Sequence, residues 1–258
     1  MKKIFSALFL VAFIFSNVAG ANNKKDLIIF AAASMTETLS QIKNLYENEN
    51  SEINLVFNFD SSGTLKTQIQ EGAECDLFIS AGQKQINQLE ELNLILNDTR
   101  INLLENKIAL VVPEGNPRNI NNFNELAKAL KDEKILFAMG NEDVPVGQYT
   151  QKIFEFYGLN ENEIASKGKI TYGTNVKEVT TQVKEGSVDC GVVYCTDAFS
   201  AGLTVVDTAN KEMCGQVIYP AAVIKNGNNI KEAKEFLNYL TSESAMKIFS
   251  SVGFSPAK

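Results

Sequence analysis

Short runs of apolar residues alternate along the chain with segments whose apolar residues recur every three or four positions. The first pattern predicts buried strands, and the second predicts amphipathic helices. The strand-like runs are 27–31, 53–59, 77–79, 107–112, 135–139, 169–172, 189–194 and 217–224. The 258-residue chain is too long for one small core and suits two lobes. The alternation predicts an α/β fold in which each lobe is a mainly parallel sheet flanked by helices. Ligand-binding loops are then expected at the C-terminal ends of the strands.

The first 21 residues have a different pattern and are expected to be removed. Lys2 and Lys3 precede an apolar run at 4–15, and small residues follow at 19–21. This is the pattern of a secretory signal peptide. The apolar run is about a dozen residues long, shorter than the roughly 20 that cross a bilayer. The sequence therefore predicts an exported protein, and the lack of a Cys at the cleavage site argues against a lipid anchor.

Charge and composition exclude several classes of function. Residues 1–21 hold two Lys and no acid, so the rest of the chain has a formal charge of 22 − 31 = −9. Such an acidic protein is not expected to bind nucleic acid or anionic lipid. The chain has no His, which excludes Ser-His-Asp and Cys-His catalysis and His-based zinc sites. A nucleophilic Ser would need another base, and the hydroxyl motifs place none beside them, so the protein is predicted not to be an enzyme.

The state of the four cysteines stays open at this point. Cys75, Cys190, Cys195 and Cys214 allow three full pairings, and an exported protein can hold disulfides. Cys190 and Cys195 fall on one predicted strand, roughly 16 Å apart at ~3.3 Å per residue, so they are not expected to pair with each other. Buried free thiols and a single bridge fit the sequence equally well.

Four predicted strand-to-helix junctions carry small or hydrogen-bonding residues. These junctions are 31–37, 60–65, 143–147 and 173–178. Ser34 with Glu37, and Asn175 with Glu178, have the spacing of a capping box, and Pro145 suits the first turn of a helix. A Ser or Asn at one helix start is by itself an ordinary N-cap. Several helix N-termini aimed at one point, however, form an anion site without Lys or Arg, because each presents unpaired amides and about half a positive charge.

In this combination the chain resembles the periplasmic molybdate-binding proteins of ABC importers, over essentially its whole length after the first 21 residues. The matching stretches are FAAASMT (30–36), SSGTL (61–65), CDLFISA (75–81), VPVGQY (144–149), DCGVVYCTDA (189–198) and VIYPAAVI (217–224). The resemblance implies a two-lobed periplasmic-binding-protein (Venus-flytrap) fold of type II. It implies a monomer in the periplasm that captures molybdate or tungstate and delivers it to an ABC permease. No cofactor is implied, and molybdenum would be held only as its oxyanion.

The resemblance also implies which residues hold the ligand. The implied oxyanion-binding residues are Ser34, Ser62, Val146, Val176 and Tyr194. The two serines would give hydroxyls and amides, the two valines would give amides, and the tyrosine its phenol. Two positions depart from the family pattern, since Val146 stands where Ala is common and Gly63 where Ser is frequent.

Chain order implies how the lobes divide. Lobe one would comprise residues 24–107 and 220–258, and lobe two residues 108–219, with hinges near Lys107 and at Tyr219-Pro220. One ligand would then join both lobes and favour a closed form. A site made only of donors suits a proton-free dianion better than hydrogen phosphate, which needs an acceptor. Sulfate is the alternative ligand, because its charge and shape are the same and only its smaller size differs.

Overall fold

A computed structural model describes residues 24–132 and 135–257. The predicted signal peptide at 1–21 lies outside these residues. The described chain forms two sheets with helices packed around them, in the α/β arrangement expected from the sequence. We call the part built on the first sheet lobe one and the part built on the second sheet lobe two.

Lobe one contains a six-stranded sheet in the order β11-β4-β10-β3-β1-β2. Its strands are β1 Lys25–Ala32, β2 Ile53–Asp60, β3 Leu77–Ile79, β4 Ile101–Asn106, β10 Val217–Val223 and β11 Ser255–Pro256. Strand β1 runs parallel to β2 and β3. Strand β10 runs antiparallel to β3 and β4 and has a register shift between Tyr219 and Pro220, where proline has no amide to contribute to the ladder.

Lobe two contains a five-stranded sheet in the order β7-β6-β8-β5-β9. Its strands are β5 Ile108–Val112, β6 Phe137–Gly140, β7 Ile170–Gly173, β8 Cys190–Tyr194 and β9 Thr204–Thr208. Strand β6 is parallel to β7 and β8, whereas β5 is antiparallel to β8 and β9. Both sheets are therefore mixed, and the parallel character expected from the sequence holds for β1 to β3 and β6 to β8.

Helices cover both faces of the sheets. They are α1 Thr36–Glu49, α2 Ser62–Gln70, α3 Gln83–Glu91, α4 Phe123–Asp132, α5 Pro145–Phe156, α6 Glu161–Ser166, α7 Val176–Lys184, α8 Cys195–Ala201, α9 Lys211–Cys214, α10 Ile230–Tyr239 and α11 Glu243–Ser251. Short 3-10 turns occur at Ala33–Met35 and Asn97–Thr99. No helix in the described ranges is both long and apolar enough to cross a membrane.

Burial on both faces of the sheet explains why β1 is an unbroken run of apolar residues. Its residues Leu27 and Ile29 belong to one buried cluster, whereas Phe30 belongs to a second cluster on the opposite face of the sheet. A strand that is covered on both faces needs apolar side chains at consecutive positions. The helical spacing of Leu39, Ile42 and Tyr46 likewise places three fully or almost fully buried side chains on one face of α1.

Several strands lie outside the runs that the apolar pattern identified. Strands β4, β9 and β11 are polar or partly exposed strands that pair with neighbours distant in the chain. Cys195, expected on the same strand as Cys190, begins α8 instead. All four cysteines have free thiols.

The chain passes between the sheets twice. It leaves the first sheet at Asn106, where β4 ends, and enters the second at Ile108. It returns with β10 at Val217, ahead of the return expected at residue 220. The lobe boundaries drawn from the sequence, 24–107 with 220–258 and 108–219, stay a prediction.

Candidate functional site

A small cavity lies where the two lobes meet, and residues of both lobes line it. The cavity is narrow, with a volume of about 10 Å³, and is lined by Ala32, Ala33, Ser34, Asp60, Ser61, Ser62, Ala81, Val144, Pro145, Val176 and Tyr194. Four of the five residues implied by the sequence are thus brought together. The fifth, Val146, is fully buried one residue beyond the lining at Pro145. No Lys or Arg is among the lining residues that the structure describes.

A larger groove lies on the outer surface of lobe two, between α5 and α6. It is lined in part by Glu142, Glu155 and Glu161. Its three carboxylates would repel an anion, whereas a single carboxylate among the described residues, that of Asp60, lines the smaller cavity between the lobes. The cavity is therefore the candidate site for an oxyanion.

Ser34 lies in the 3-10 turn that joins β1 to α1 and is 5 % exposed. The capping box expected from Ser34 and Glu37 is wrong, because no side chain caps either the turn or the helix. The Ser34 hydroxyl instead lies 3.0 Å from the phenol oxygen of Tyr219. The Ser34 hydroxyl therefore bonds a residue that is distant in the chain and not an amide of the adjacent helix start.

Ser62 is the first residue of α2 and is fully buried. The cap of this helix is Ser61, whose hydroxyl oxygen accepts the Thr64 amide at 3.1 Å. Because capping is done by its neighbour, the Ser62 hydroxyl is available for the cavity. Its oxygen accepts the Ala81 amide at 2.9 Å, so its own hydrogen can be donated elsewhere.

Two helix starts face the cavity from lobe two. Helix α5 begins with Pro145 and has no side-chain cap. Helix α7 begins with Val176, and the Asn175 side chain accepts the amides of Lys177 and Glu178 at 3.0 and 3.2 Å. The expected cap at Asn175 is confirmed, and it does not take the amide of Val176. The second half of the expected capping box does not form, because the Glu178 carboxylate accepts the Thr174 amide and not that of Asn175. Each helix start therefore brings a partial positive charge to the cavity wall.

Tyr194 ends β8 and is 1 % exposed. Its phenol donates a hydrogen bond of 3.3 Å to the Ala81 carbonyl of lobe one. Burial raises the pKa of this phenol well above its ordinary value, so the group stays protonated and remains a donor. To hold a ligand it must exchange the Ala81 carbonyl for the ligand oxygen.

Charged groups lie beside the cavity. Asp60 lines it, and one of its carboxylate oxygens accepts the Ser61 amide at 2.7 Å. On the lobe-two side, Lys177 donates to both carboxylate oxygens of Glu37 in lobe one, at 2.8 Å each. The Lys177 ammonium also lies 3.1 Å from a carboxylate oxygen of the fully buried Asp197, at ion-pair distance but outside hydrogen-bonding geometry.

Burial and ion pairing have opposite effects on the pKa values of Asp197 and Lys177. Burial raises the pKa of Asp197 to about 6, although the Lys177 charge acts to lower it. Burial alone would lower the pKa of Lys177, but Asp197 and Glu37 outweigh it and the net shift is upward. Lys177 is therefore charged over the physiological range and forms an ion pair between the lobes.

Comparison with known proteins identifies the family. The profile of the bacterial extracellular solute-binding proteins matches residues 27–255. The chain belongs to this family. This solute-binding protein is 38% identical to a lipoprotein of Bacillus subtilis provisionally named as an ABC transporter substrate-binding protein, over 96% of this chain and 94% of the relative. It is 32% identical to the molybdate-binding protein of Haemophilus influenzae, over 99% of this chain and 98% of that protein.

Among solved structures, the solute-binding protein is similar to the substrate-binding domain of a provisionally assigned molybdenum ABC transporter from Clostridium difficile. The TM-score is 0.67 at 34% identity, and the match covers 90% of this chain and 99% of the other. The two-lobed fold expected from the sequence is therefore confirmed.

Sequence reasoning did not identify Ala81 and Tyr219, which contact site residues of this solute-binding protein, or Asn106, which contacts Tyr219. Tyr219 was singled out only as a hinge position, and Ala81 and Asn106 were not singled out at all. Ala81 bonds both Ser62 and Tyr194 through its backbone, and Asn106 bonds Tyr219. These contacts depend on the fold, and no local pattern in the sequence marks them.

Proposed function

We propose that this solute-binding protein captures molybdate or tungstate in the periplasm and delivers it to the permease of an ABC importer. The observation that carries the proposal is the cavity between the lobes, where hydroxyls and helix N-termini converge without a Lys or Arg on the described lining. Relatives named as molybdate-binding support the choice of ligand.

The donors of the cavity suit an oxyanion that carries no proton. Ser34 and Ser62 offer hydroxyls, and the starts of α5 and α7 offer amides and a partial positive charge. Hydrogen bonds to a charged acceptor contribute about 1.5–3 kcal/mol each, more than bonds between neutral groups. Hydrogen phosphate would also need an acceptor, and leaving its hydroxyl unpaired costs ~1–3 kcal/mol.

We assign the ligand contacts as the resemblance implies. Ser34 and Ser62 give hydroxyl and amide hydrogens from lobe one, and the amides of Val146 and Val176 act from lobe two. Tyr194 gives its phenol hydrogen after leaving the Ala81 carbonyl. The ligand then joins both lobes, with Lys107 and Tyr219 at the hinges, and the permease recognises the closed form.

The proposal also includes export and a role in ligand binding without catalysis. Residues 1–21 are the signal peptide, and the mature protein acts as a monomer. An enzymatic role for the two serines has little support, because among the described residues neither hydroxyl has a partner that can act as a base. The Ser62 oxygen accepts an amide hydrogen, and the Ser34 partner is a phenol whose pKa burial holds well above its ordinary value.

A thermal-shift panel of molybdate, tungstate, sulfate, phosphate and nitrate tests the proposal. A ligand that binds only the folded state raises the melting temperature in proportion to the logarithm of its concentration over Kd. We expect the largest rise, at micromolar concentration, with molybdate and tungstate. A larger rise with sulfate would make the protein a sulfate receptor, and no rise with any of the five would refute an oxyanion ligand.

Calorimetry of two variants tests the assigned serines. Ser34→Ala and Ser62→Ala should each weaken molybdate binding by about 1–3 kcal/mol through loss of a charge-assisted hydrogen bond. Ser40→Ala is a matched control, because Ser40 is exposed and donates to a carbonyl within its own helix. Unchanged affinity in both site variants would rule out their assignment.

A further inference from the structure

A series of hydrogen bonds connects Lys107, at the proposed hinge, to Ser34. Its first member is the Lys107 amide, which donates to the side-chain oxygen of Asn106 at 2.8 Å. A backbone N–H can only donate, so this bond fixes which end of the Asn106 amide is the oxygen. The Asn106 nitrogen must then be the donor toward its other neighbours.

The Asn106 nitrogen has two hydrogens and two partners. It lies 2.9 Å from the Thr196 hydroxyl and 3.2 Å from the Tyr219 phenol oxygen. Both partners can accept, and Asn106 is 4 % exposed, so solvent does not compete for its hydrogens. The Tyr219 oxygen therefore accepts one hydrogen from Asn106.

Tyr219 has its own hydrogen to donate and is fully buried. Within the part of the chain that the structure describes, its hydrogen-bond partners are Asn106 and Ser34, while the adjacent Tyr194 phenol donates to the Ala81 carbonyl. Asn106 is already the donor, so the phenol hydrogen goes to the Ser34 oxygen 3.0 Å away. Burial raises the pKa of Tyr219 well above its ordinary value, so this hydrogen is retained near neutral pH.

We propose that Tyr219, held by Asn106, is a positioning residue that turns the Ser34 hydroxyl hydrogen into the cavity and so makes the site selective against protonated oxyanions. This inference depends on the proposed oxyanion-binding function. The Ser34 oxygen accepts from Tyr219 and presents its hydrogen to the ligand. Ser62 is held in the same sense by the Ala81 amide, so an acceptor position of each hydroxyl oxygen is occupied and each hydroxyl hydrogen is left for the ligand.

The test compares two inorganic anions of similar size in competition with bound molybdate. Near neutral pH sulfate carries no proton, whereas inorganic phosphate carries at least one. Their Kd ratio therefore reports discrimination by proton, separated from discrimination by size. In Tyr219→Phe the Ser34 oxygen is released and can accept. We expect the phosphate-to-sulfate Kd ratio to fall roughly tenfold, the equivalent of one unpaired polar group.

Two variants separate positioning from packing. Tyr149→Phe is the matched control, because Tyr149 is also a buried tyrosine against Tyr194 but its hydroxyl bonds the Gln216 carbonyl. Its ratio should not change. In a Ser34→Ala background, Tyr219→Phe should also leave the ratio unchanged, because Tyr219 acts through Ser34.

The possible outcomes distinguish failure of the proposed oxyanion-binding function from failure of the proposed role of Tyr219. A wild type that binds none of the tested oxyanions removes the proposed function itself. A wild type that binds molybdate while Tyr219→Phe keeps the wild-type ratio overturns the role of Tyr219 alone. A wild type that takes phosphate as readily as sulfate also overturns it, and points to the Asp60 carboxylate in the cavity wall as an acceptor.

Discussion

Gly63 makes a backbone contact between the lobes that a single methyl group would break. It is the second residue of α2 in lobe one, and it lies against Asp143 of lobe two. A Cβ at position 63 would lie 2.1 Å from the Asp143 carbonyl oxygen and 2.9 Å from its carbonyl carbon. Neither atom can rotate away as a side chain could, so Gly63→Ala forces the two lobes apart.

The size of the effect follows from these distances. Restoring an ordinary contact of ~3.2 Å needs a separation of roughly 1 Å, which stretches hydrogen bonds across the cleft beyond the ~3.5 Å limit. Losing one or two bonds to the ligand from lobe two costs ~1–3 kcal/mol each. We therefore expect molybdate affinity to fall about 10- to 100-fold or more.

The same substitution should act differently on the unliganded protein. Gly63 lies in a helix with no left-handed φ, and Ala is favoured over Gly in a helix by roughly 0.5–1 kcal/mol. If the free lobes can open, the unliganded melting temperature stays the same or rises while ligand affinity falls. Opposite signs for stability and affinity would separate hindered closure from damaged folding.

Calorimetry with molybdate and thermal unfolding without ligand together measure both effects. Gly82→Ala is the graded control, because its Cβ would lie 3.3 Å from the end of the Gln85 side chain and 3.3 Å from the Cβ of Pro145. It should cost little affinity. Unaltered affinity in Gly63→Ala would refute the reasoning, as would a loss of unliganded stability as large as the loss of binding free energy.

Two further predictions concern charge. Glu37→Gln removes the partner of Lys177 across the lobes. Because both side chains are about a third or more exposed, the molybdate Kd should rise by less than about fivefold, and the effect should shrink with added salt. A loss of affinity that does not depend on salt would contradict a screened ion pair. Asp197 has its pKa raised to about 6 by burial, so its contribution to stability is present below its unfolded pKa near 4 and is lost as pH rises through 6. Urea unfolding between pH 4 and 8 measures this effect. As pH rises, the free energy of unfolding of Asp197→Asn should increase relative to that of the wild type by up to about 3 kcal/mol. A difference that is the same at all pH values would exclude this titration.

Local patterns predicted the elements that depend on local chemistry. The Asn175 side chain caps α7 and Pro145 opens α5, because both effects need only neighbouring residues. The amphipathic spacing of α1 also holds, since one face of a helix is set by its own sequence. Chain length indicated two lobes, and the resemblance supplied the type of two-lobed fold, which apolar periodicity alone could not.

The contacts that could not be predicted join distant parts of the chain. Ser34 has the local pattern of a cap, yet its hydroxyl bonds Tyr219, 185 residues away. The sheets are mixed because β10 pairs antiparallel with β3 and β4, an arrangement that depends on topology. Apolar periodicity reports which face of an element is buried, but it does not report the partner.

The central claim is that uncharged donors from both lobes hold an oxyanion between Ser34, Ser62 and Val176. The most direct measurement is a crystal structure of the molybdate complex, with anomalous differences recorded at the molybdenum absorption edge. The account predicts one strong peak in the cavity between the lobes, with ligand oxygens within ~3.2 Å of both serine hydroxyls and the Val176 amide. A peak held by Lys or Arg side chains, or located outside this cavity, would contradict it.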